Sequence, residues 1–577
     1  MNLSRSRARA LSLAAALLLA ACGTRHGGPP GHAGPGSSRT RGTWWRDAVV
    51  YQIYPRSFQD SNGDGVGDLR GIAQRLPYLR DLGVDAIWLS PIYPSPMVDF
   101  GYDVADYKGI DPLFGSMADF QTVVRDAHRL GLRVLLDLVP NHTSDAHPWF
   151  RQSRASRSGP RSDWYVWRDP RPDGGLPNNW LSFFGGPAWH WSEERRQYFY
   201  SKYAAEQPEL DYRNPEVVEA MLDVIRFWMD QGVDGFRGDV LDALVEAEGM
   251  PDEPPNPDWD GVQPGTKLLP RYSTNQPETH AVVRRMRAEM DRHGDPLLVC
   301  EVWEWEIPDF YGARADECHL PFNFHLISTP WEPRALGRTI ADYYRKLPAG
   351  GAANWVLGNH DQHRVATRLG GPRARLAAML ELTLQGTAFL YYGDELGMVD
   401  GVIPQALVRD PPALRQPERA AEVGRDPERT PMPWDASRNA GFSTPGATTW
   451  LPLAAGSATL NVAAEDRDPS SMLQLYRRLI ALRREEPSLA HGAIELLDVP
   501  DPHVLAWTRA APGARRILVA LNLETAPASI DLRALGASGH VLASTTDPRR
   551  RGEEALGTLT LGRFEGVVVS SDRAALP

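Results

Sequence analysis

Eight short apolar runs separated by helix-length stretches constrain this chain more than any other feature. They are Val49–Tyr54, Ala86–Ser90, Val134–Val139, Gly235–Asp239, Leu297–Val302, His319–Phe324, Trp355–Asn359 and Thr387–Tyr392. Between them, Met117–Leu130, Val217–Gln231, His280–His293 and Arg373–Gln385 carry apolar residues at helical spacing. Strand and helix in alternation is the pattern of βα units around a parallel sheet, and eight such units predict a closed (β/α)8 TIM barrel. An open doubly wound sheet is the competing arrangement, but no glycine-rich dinucleotide turn follows any strand.

Two irregularities set the domain plan. Residues 141–212 form a long insertion after the third strand, dense in Trp, Pro and Gly, where a simple barrel needs only a few residues. A lobe overhanging the barrel mouth is therefore expected, with the barrel itself spanning 43–140 and 213–485. Beyond the amphipathic stretch Ser471–Arg484 the pattern changes to short strands and turns, such as Arg516–Asn522 and Gly566–Ser570, so 486–577 is predicted to be a β-sandwich. No repeat of solenoid length is present.

The amino terminus reads as an export signal: Arg5, Arg7 and Arg9, the apolar run Leu11 to Ala20, then small residues ending at Cys22. The run is too short to span a bilayer. Leu19-Ala20-Ala21-Cys22 resembles a bacterial lipobox, which implies a signal at 1–22 and a lipid on Cys22; a plain secretory signal is the alternative. Residues 23–42, rich in Gly, Pro, Ser and His, are expected to be a flexible linker. The expected location is outside the cytoplasm: lipid-anchored to a bacterial membrane, periplasmic or extracellular. Membrane contact is expected only through that anchor. Charges of both signs are scattered to a net of −11 with no basic run, which argues against nucleic acid as a partner. Only Cys300 and Cys318 follow Cys22; there is no metal-ligand spacing, and their separation leaves open whether they pair.

In such a barrel, side chains at the C-terminal ends of several strands converge on one pocket. Here the third strand carries Asp137 and leads to Asn141-His142. The fourth carries Arg237 and Asp239, the fifth ends in Glu301, and the seventh leads to His360-Asp361. Charged groups at apolar strand ends are costly unless paired or used. Glycoside cleavage needs such a set, with one carboxylate attacking the anomeric carbon and a protonated carboxyl serving the leaving oxygen. Arg237 lies on the same strand face as Asp239 and is expected to keep it ionised, which assigns Asp239 as nucleophile and Glu301 as acid. Asp361 would bind sugar hydroxyls more tightly as the ring flattens.

At these residues the chain resembles the α-amylase family, glycoside hydrolase family 13, and within it the α-glucosidase and oligo-1,6-glucosidase branch. The matching stretches are DLVPNH (137–142), GFRGDV (235–240), the strand ending in Glu301, and GNHDQ (358–362). GYDVADY (101–107), QPELDYRNP (207–215) and RDPERTPMPWD (425–435) match as well. The resemblance implies Asp239 as nucleophile, Glu301 as acid/base and Asp361 as transition-state stabiliser. It further implies that Asp99, Tyr102, His142, Gln207, Arg237, His360 and Arg425 surround the glucosyl unit. Asp99 with Arg425 would close the pocket behind the non-reducing end. The implied activity is retaining, exo-acting removal of terminal α-linked glucose from a small α-glucoside or oligosaccharide. Transglucosylation or isomerisation on the same scaffold, or sugar binding without catalysis, are the alternatives.

Asp60, Asn62, Asp64 and Asp68 place hard oxygen donors at alternate positions, which suits a structural Ca2+. Gly71 at the twelfth position excludes an EF-hand. The stretch is similar to the calcium loop of oligo-1,6-glucosidases, in which Val66 would add its carbonyl. No organic cofactor is expected. The chain departs from the family pattern at Gly238, at Cys300, and at Val302-Trp303-Glu304, positions that bear on substrate preference more than on catalysis. Val240 resembles the branch that accepts α-1,6 bonds.

Overall fold

The computed structural model describes residues 43–303, 307–536 and 538–574. The signal, Cys22, the linker and Glu304 lie outside the described residues.

The first strands are β1 (Val49–Ile53), β2 (Ala86–Leu89) and β3 (Arg133–Leu138). The inserted segment contributes β4 (Trp167–Arg168), β5 (Trp189–Ser192) and β6 (Gln197–Tyr200). The barrel resumes with β7 (Gly235–Gly238), β8 (Leu297–Cys300), β9 (Leu320–Pro321), β10 (Asn354–Val356) and β11 (Thr387–Tyr391). The eight barrel strands are parallel, in the order β10-β11-β1-β2-β3-β7-β8-β9. All eight expected strands are present, the sixth reduced to two residues.

No backbone ladder joins β9 to β10. Side chains close this seam: buried Asn354 donates to the Pro321 carbonyl (2.6 Å) and accepts from the Asn323 amide (3.0 Å), and Asn323 donates to the Asn354 carbonyl (3.2 Å). These bonds do for buried polar backbone what the ladder does elsewhere. Alternation along the strands sorts the core. Val50, Trp88, Leu135, Val299, Phe322, Val356 and Phe389 pack together inside the ring, while Val49, Tyr51, Ile87, Val134 and Leu136 face the helices.

Helices begin where local chemistry starts them. Ser116 and Asp119 form a capping box ahead of Met117–Arg129, and the Asp68 carboxylate accepts the Gly71 amide ahead of Leu69–Leu82. In the insertion, β4, β6 and β5 form a small antiparallel sheet, and bridges His142↔Glu209 and Tyr165↔Leu210 tie its ends together.

The last strands are β12 (Ala493–Leu496), β13 (Val504–Ala510), β14 (Arg515–Asn522), β15 (Ala528–Asp531), β16 (Ser538–Ser544), β17 (Glu554–Leu556), β18 (Thr558–Leu561) and β19 (Gly566–Ala574). Six form an antiparallel sheet, and β15 pairs with β18 across from it. Period-2 alternation decides both faces. Val504, Ala506, Leu518, Ala520, Val567 and Val569 pack toward β15 and β18, while Leu505, Trp507, Val519, Leu521 and Val568 join the core shared with the barrel helices.

Candidate active site

The site is built around Arg237, which is 1 % exposed. Arg237 stands opposite Asp137 across β3 and β7, so the strand register alone brings guanidinium and carboxylate together. Its Nη1 donates to Asp137 and to Asp239, each at 2.7 Å, and its Nη2 donates to Glu301. The ladder continues past the strand ends, with the Asp239 amide bonded to the Leu138 carbonyl (2.8 Å) and the Glu301 amide to the Gly238 carbonyl (2.9 Å). Those two bonds fix the relative heights of Asp239 and Glu301. Both carboxyl groups are bonded to the one Arg237 guanidinium, so they face the same pocket.

Arg237 was expected to separate the roles of the two acids, and alone it does not, because it bonds both. Burial is the largest influence on each and raises it, only partly offset by Arg237. Asp239 is pushed up to about 7, with repulsion from Asp137 and Asp361 adding to burial, and Glu301 is pushed up to about 8, with repulsion from Asp239 and Asp361 adding to burial. Asp137, raised to about 6 by burial, accepts from Arg237, Tyr102 and Trp88. Burial and the neighbouring Asp239 charge favour a protonated Glu301, the state a proton donor needs, while Arg237 favours an ionised Asp239.

Asp361 is held differently. Burial, the largest influence, raises it; His360, Arg425, Arg429 and Arg237 together hold it well below the usual carboxylate range. Burial also drives His360 far down, so at neutral pH the attraction comes from the arginines. Arg425 Nη1 and Arg429 Nη2 each donate to Asp361 Oδ1 at 2.9 Å. Arg425 further pairs with Asp99 (2.7 Å) and with fully buried Asp410 (2.8 Å). A wall of alternating charges thus runs from Asp99 to Asp361.

Neutral, oriented donors complete the ring. Gln52 donates to His360 Nδ1 (2.8 Å), which leaves the proton on Nε2, facing the Tyr102 hydroxyl at 2.7 Å. Tyr102 donates in turn to Asp137 (2.9 Å) and stacks on the His360 ring. His142 is lowered to about 4 by burial; its Nδ1–H donates to Asn141 Oδ1 (2.9 Å) and its Nε2 accepts from Gln207 (3.1 Å). Gln207, from the insertion, also donates to Asp99 (3.2 Å). All ten expected catalytic and sugar-binding residues therefore meet in one place.

The α-amylase catalytic-domain model matches residues 52–492. The chain belongs to the α-amylase family. It is 41% identical over 508 residues to a probable α-glucosidase of Rhizobium meliloti, covering 85% of this chain and 91% of that one. It is 37% identical over 522 residues to the oligo-1,6-glucosidase of Parageobacillus thermoglucosidasius, covering 84% and 91%. Among solved structures, the α-glucosyl transfer enzyme XgtA aligns with a TM-score of 0.85 at 38% identity, covering 92% of this chain and 100% of that one. The trehalulose synthase MutB of Pseudomonas mesoacidophila aligns with a TM-score of 0.82 at 33% identity, covering 91% and 99%.

Within this α-amylase-family site the departures acquire physical reasons. A Cβ at Gly238 would lie 2.3 Å from the Leu241 side chain, so glycine makes room for it. Val240, a β-branched residue, is held in the left-handed region (φ 47°, ψ 45°) directly after Asp239, a strained placement at a working position. Cys300 is disulfide-bonded to Cys318 and so ties the strand end before Glu301 to the segment entering β9. Trp303, 48% exposed, stacks on Phe324 and donates its indole N–H to Glu301 Oε1 (2.8 Å). Asp410 and Arg429 were not foreseen as parts of the site, and Trp303 was singled out only as bearing on substrate preference.

In the 60–68 loop, Asp60, Asn62 and Asp64 each accept the amide two residues on, at 2.8–2.9 Å. These successive turns coil the loop; Asp60 and Asp68 are buried, while Asn62 and Asp64 stay exposed.

Proposed function

We propose that this enzyme hydrolyses terminal α-linked glucose from short oligosaccharides and small α-glucosides by double displacement. The observation that carries the reading is one buried guanidinium bonded to both Asp239 and Glu301, with Asp361 clamped by two further arginines beside them. Asp239 attacks the anomeric carbon while Glu301 passes its proton to the departing oxygen, giving a glucosyl ester on Asp239. Loss of the Asp239 charge removes the repulsion that had raised Glu301. Glu301 is then a carboxylate able to take a proton from water, which attacks the ester and restores both acids. Asp361, ionised throughout, accepts from sugar hydroxyls. The Asp99–Arg425 pair closes the far end, which favours single-glucose release over internal cleavage of polymers.

Asp60, Asn62, Asp64, Asp68 and the Val66 carbonyl are the residues that would hold a structural Ca2+; five hard oxygen donors on one short loop suit that ion. An acyl anchor at Cys22 and export by the 1–22 signal belong to the same reading, on the sequence pattern alone.

The test is Asp239→Asn, expected to abolish turnover of 4-nitrophenyl α-glucoside with an unchanged circular dichroism spectrum. Substantial remaining turnover would refute the assignment. Transfer of glucose to a second sugar is favoured by one observation, the half-exposed Trp303 ring beside the acid, a flat platform for an acceptor sugar. The ratio of transfer product to free glucose from concentrated maltose separates the two.

A further inference from the structure

His363, Asp400 and Glu428 bring three potential ligand atoms within 4.8 Å of one another, and among the described residues no other His, Cys, Asp and Glu atoms gather in this way. His363 Nδ1 lies 2.8 Å from Asp400 Oδ2 and 3.7 Å from Glu428 Oε2. Glu428 is 1 % exposed, and its Oε2, directed into the cluster, has no hydrogen-bond partner. An unpaired buried carboxylate oxygen is costly and calls for a counter-charge. Asp400 Oδ1 accepts the Arg364 amide (2.8 Å), which leaves Oδ2 turned toward the imidazole. The His363 side chain keeps 40% of its surface exposed, while its Nδ1, which faces the two acids, is buried.

We propose that His363, Asp400 and Glu428 form a binding site for one divalent transition-metal cation of the Zn2+ class, separate from both the catalytic acids and the 60–68 loop. One imidazole nitrogen with two carboxylate oxygens, and water in the fourth position, suits Zn2+ or Co2+; Ca2+ and Mg2+ prefer oxygen alone. The imidazole must be neutral at Nδ1 to bind the ion, so binding competes with protons and weakens as pH falls. The site lies where the Asp361 loop meets the arginine segment. His363 is two residues beyond Asp361, and Glu428 adjoins Arg429, which donates to both the His360 carbonyl and Asp361. A bound ion would tie those two segments together.

The test is equilibrium dialysis and visible spectroscopy of the chelator-treated full-length protein with Co2+ near neutral pH. One Co2+ per chain with the ligand-field bands of a four-coordinate site is expected, with binding about 100-fold weaker in His363→Ala and in Glu428→Gln. Asp64→Ala, in the other loop, should bind Co2+ like the wild type. His363 is partly exposed, so His363→Ala keeps the test sound should Glu428→Gln fail to fold. Absence of a four-coordinate spectrum in the wild type, or unchanged Co2+ affinity in His363→Ala, would overturn the proposal in favour of a simple histidine bridge between two acids.

Discussion

Replacing Trp303 with Phe isolates one hydrogen bond at the proton donor. The phenyl ring keeps the stack on Phe324, whose centroid lies 4.5 Å away, and removes only the N–H that reaches Glu301 Oε1. A donor to a carboxylate favours its ionised form, so Trp303 works against the burial that pushes Glu301 up to about 8. Hydrogen bonds to charged groups are worth about 1.5–3 kcal/mol, and one pKa unit about 1.36 kcal/mol. Trp303 is 48% exposed, so water takes over part of the lost bond and the lower figure applies. The alkaline limb of kcat/KM against pH should therefore move upward by about one unit, while the acidic limb, set by Asp239, stays in place. The assay is initial-rate hydrolysis of 4-nitrophenyl α-glucoside across the pH range. An alkaline limb that stays put or moves downward would refute Glu301 as the group that must remain protonated.

Gly235 has φ 152°, and a Cβ there would sit 2.1 Å from the Leu297 carbonyl oxygen. Gly235→Ala should cost at least about 3 kcal/mol, read from the urea midpoint, since backbone cannot step aside cheaply. Cys300 and Cys318 are 18 residues apart, so Cys300→Ala with Cys318→Ala should lower stability by about 3 kcal/mol, again by urea unfolding. Asp239 is raised in the folded state, so the native protein holds a proton the unfolded chain has released. Stability is therefore lost as pH rises through about 7. Asp239→Asn escapes that loss, and its melting temperature relative to wild type should climb as buffers run from acidic to alkaline.

The barrel was legible because parallel strands and amphipathic helices impose different periods on the same chain, and each expected helix starts and stops within a few residues of its observed ends. Arg237 and Asp239 were legible for the same reason, alternate residues of one strand facing one pocket. What Arg237 touches was not. Its reach to Glu301 depends on where β8 sits beside β7, a tertiary fact that no local pattern carries. The Cys300–Cys318 pair was open in the sequence and is settled by strand order, since one cysteine ends β8 and the other precedes β9. Asp410 and Arg429 lie in the long excursion after β11, rich in Pro and Asp and without sustained period, where side-chain direction cannot be read from spacing. Asn354 and Asn323, which close the barrel seam, look like ordinary strand-end polar residues until the missing ladder is seen.

Trapping the covalent intermediate addresses the central claim most directly. A 5-fluoro α-glucosyl fluoride should leave one fluoroglucosyl group per chain, and peptide mass spectrometry should find it on Asp239, with α-glucose the first anomer released from natural substrate. A label on any other carboxylate, or β-glucose as the first product, would contradict the account.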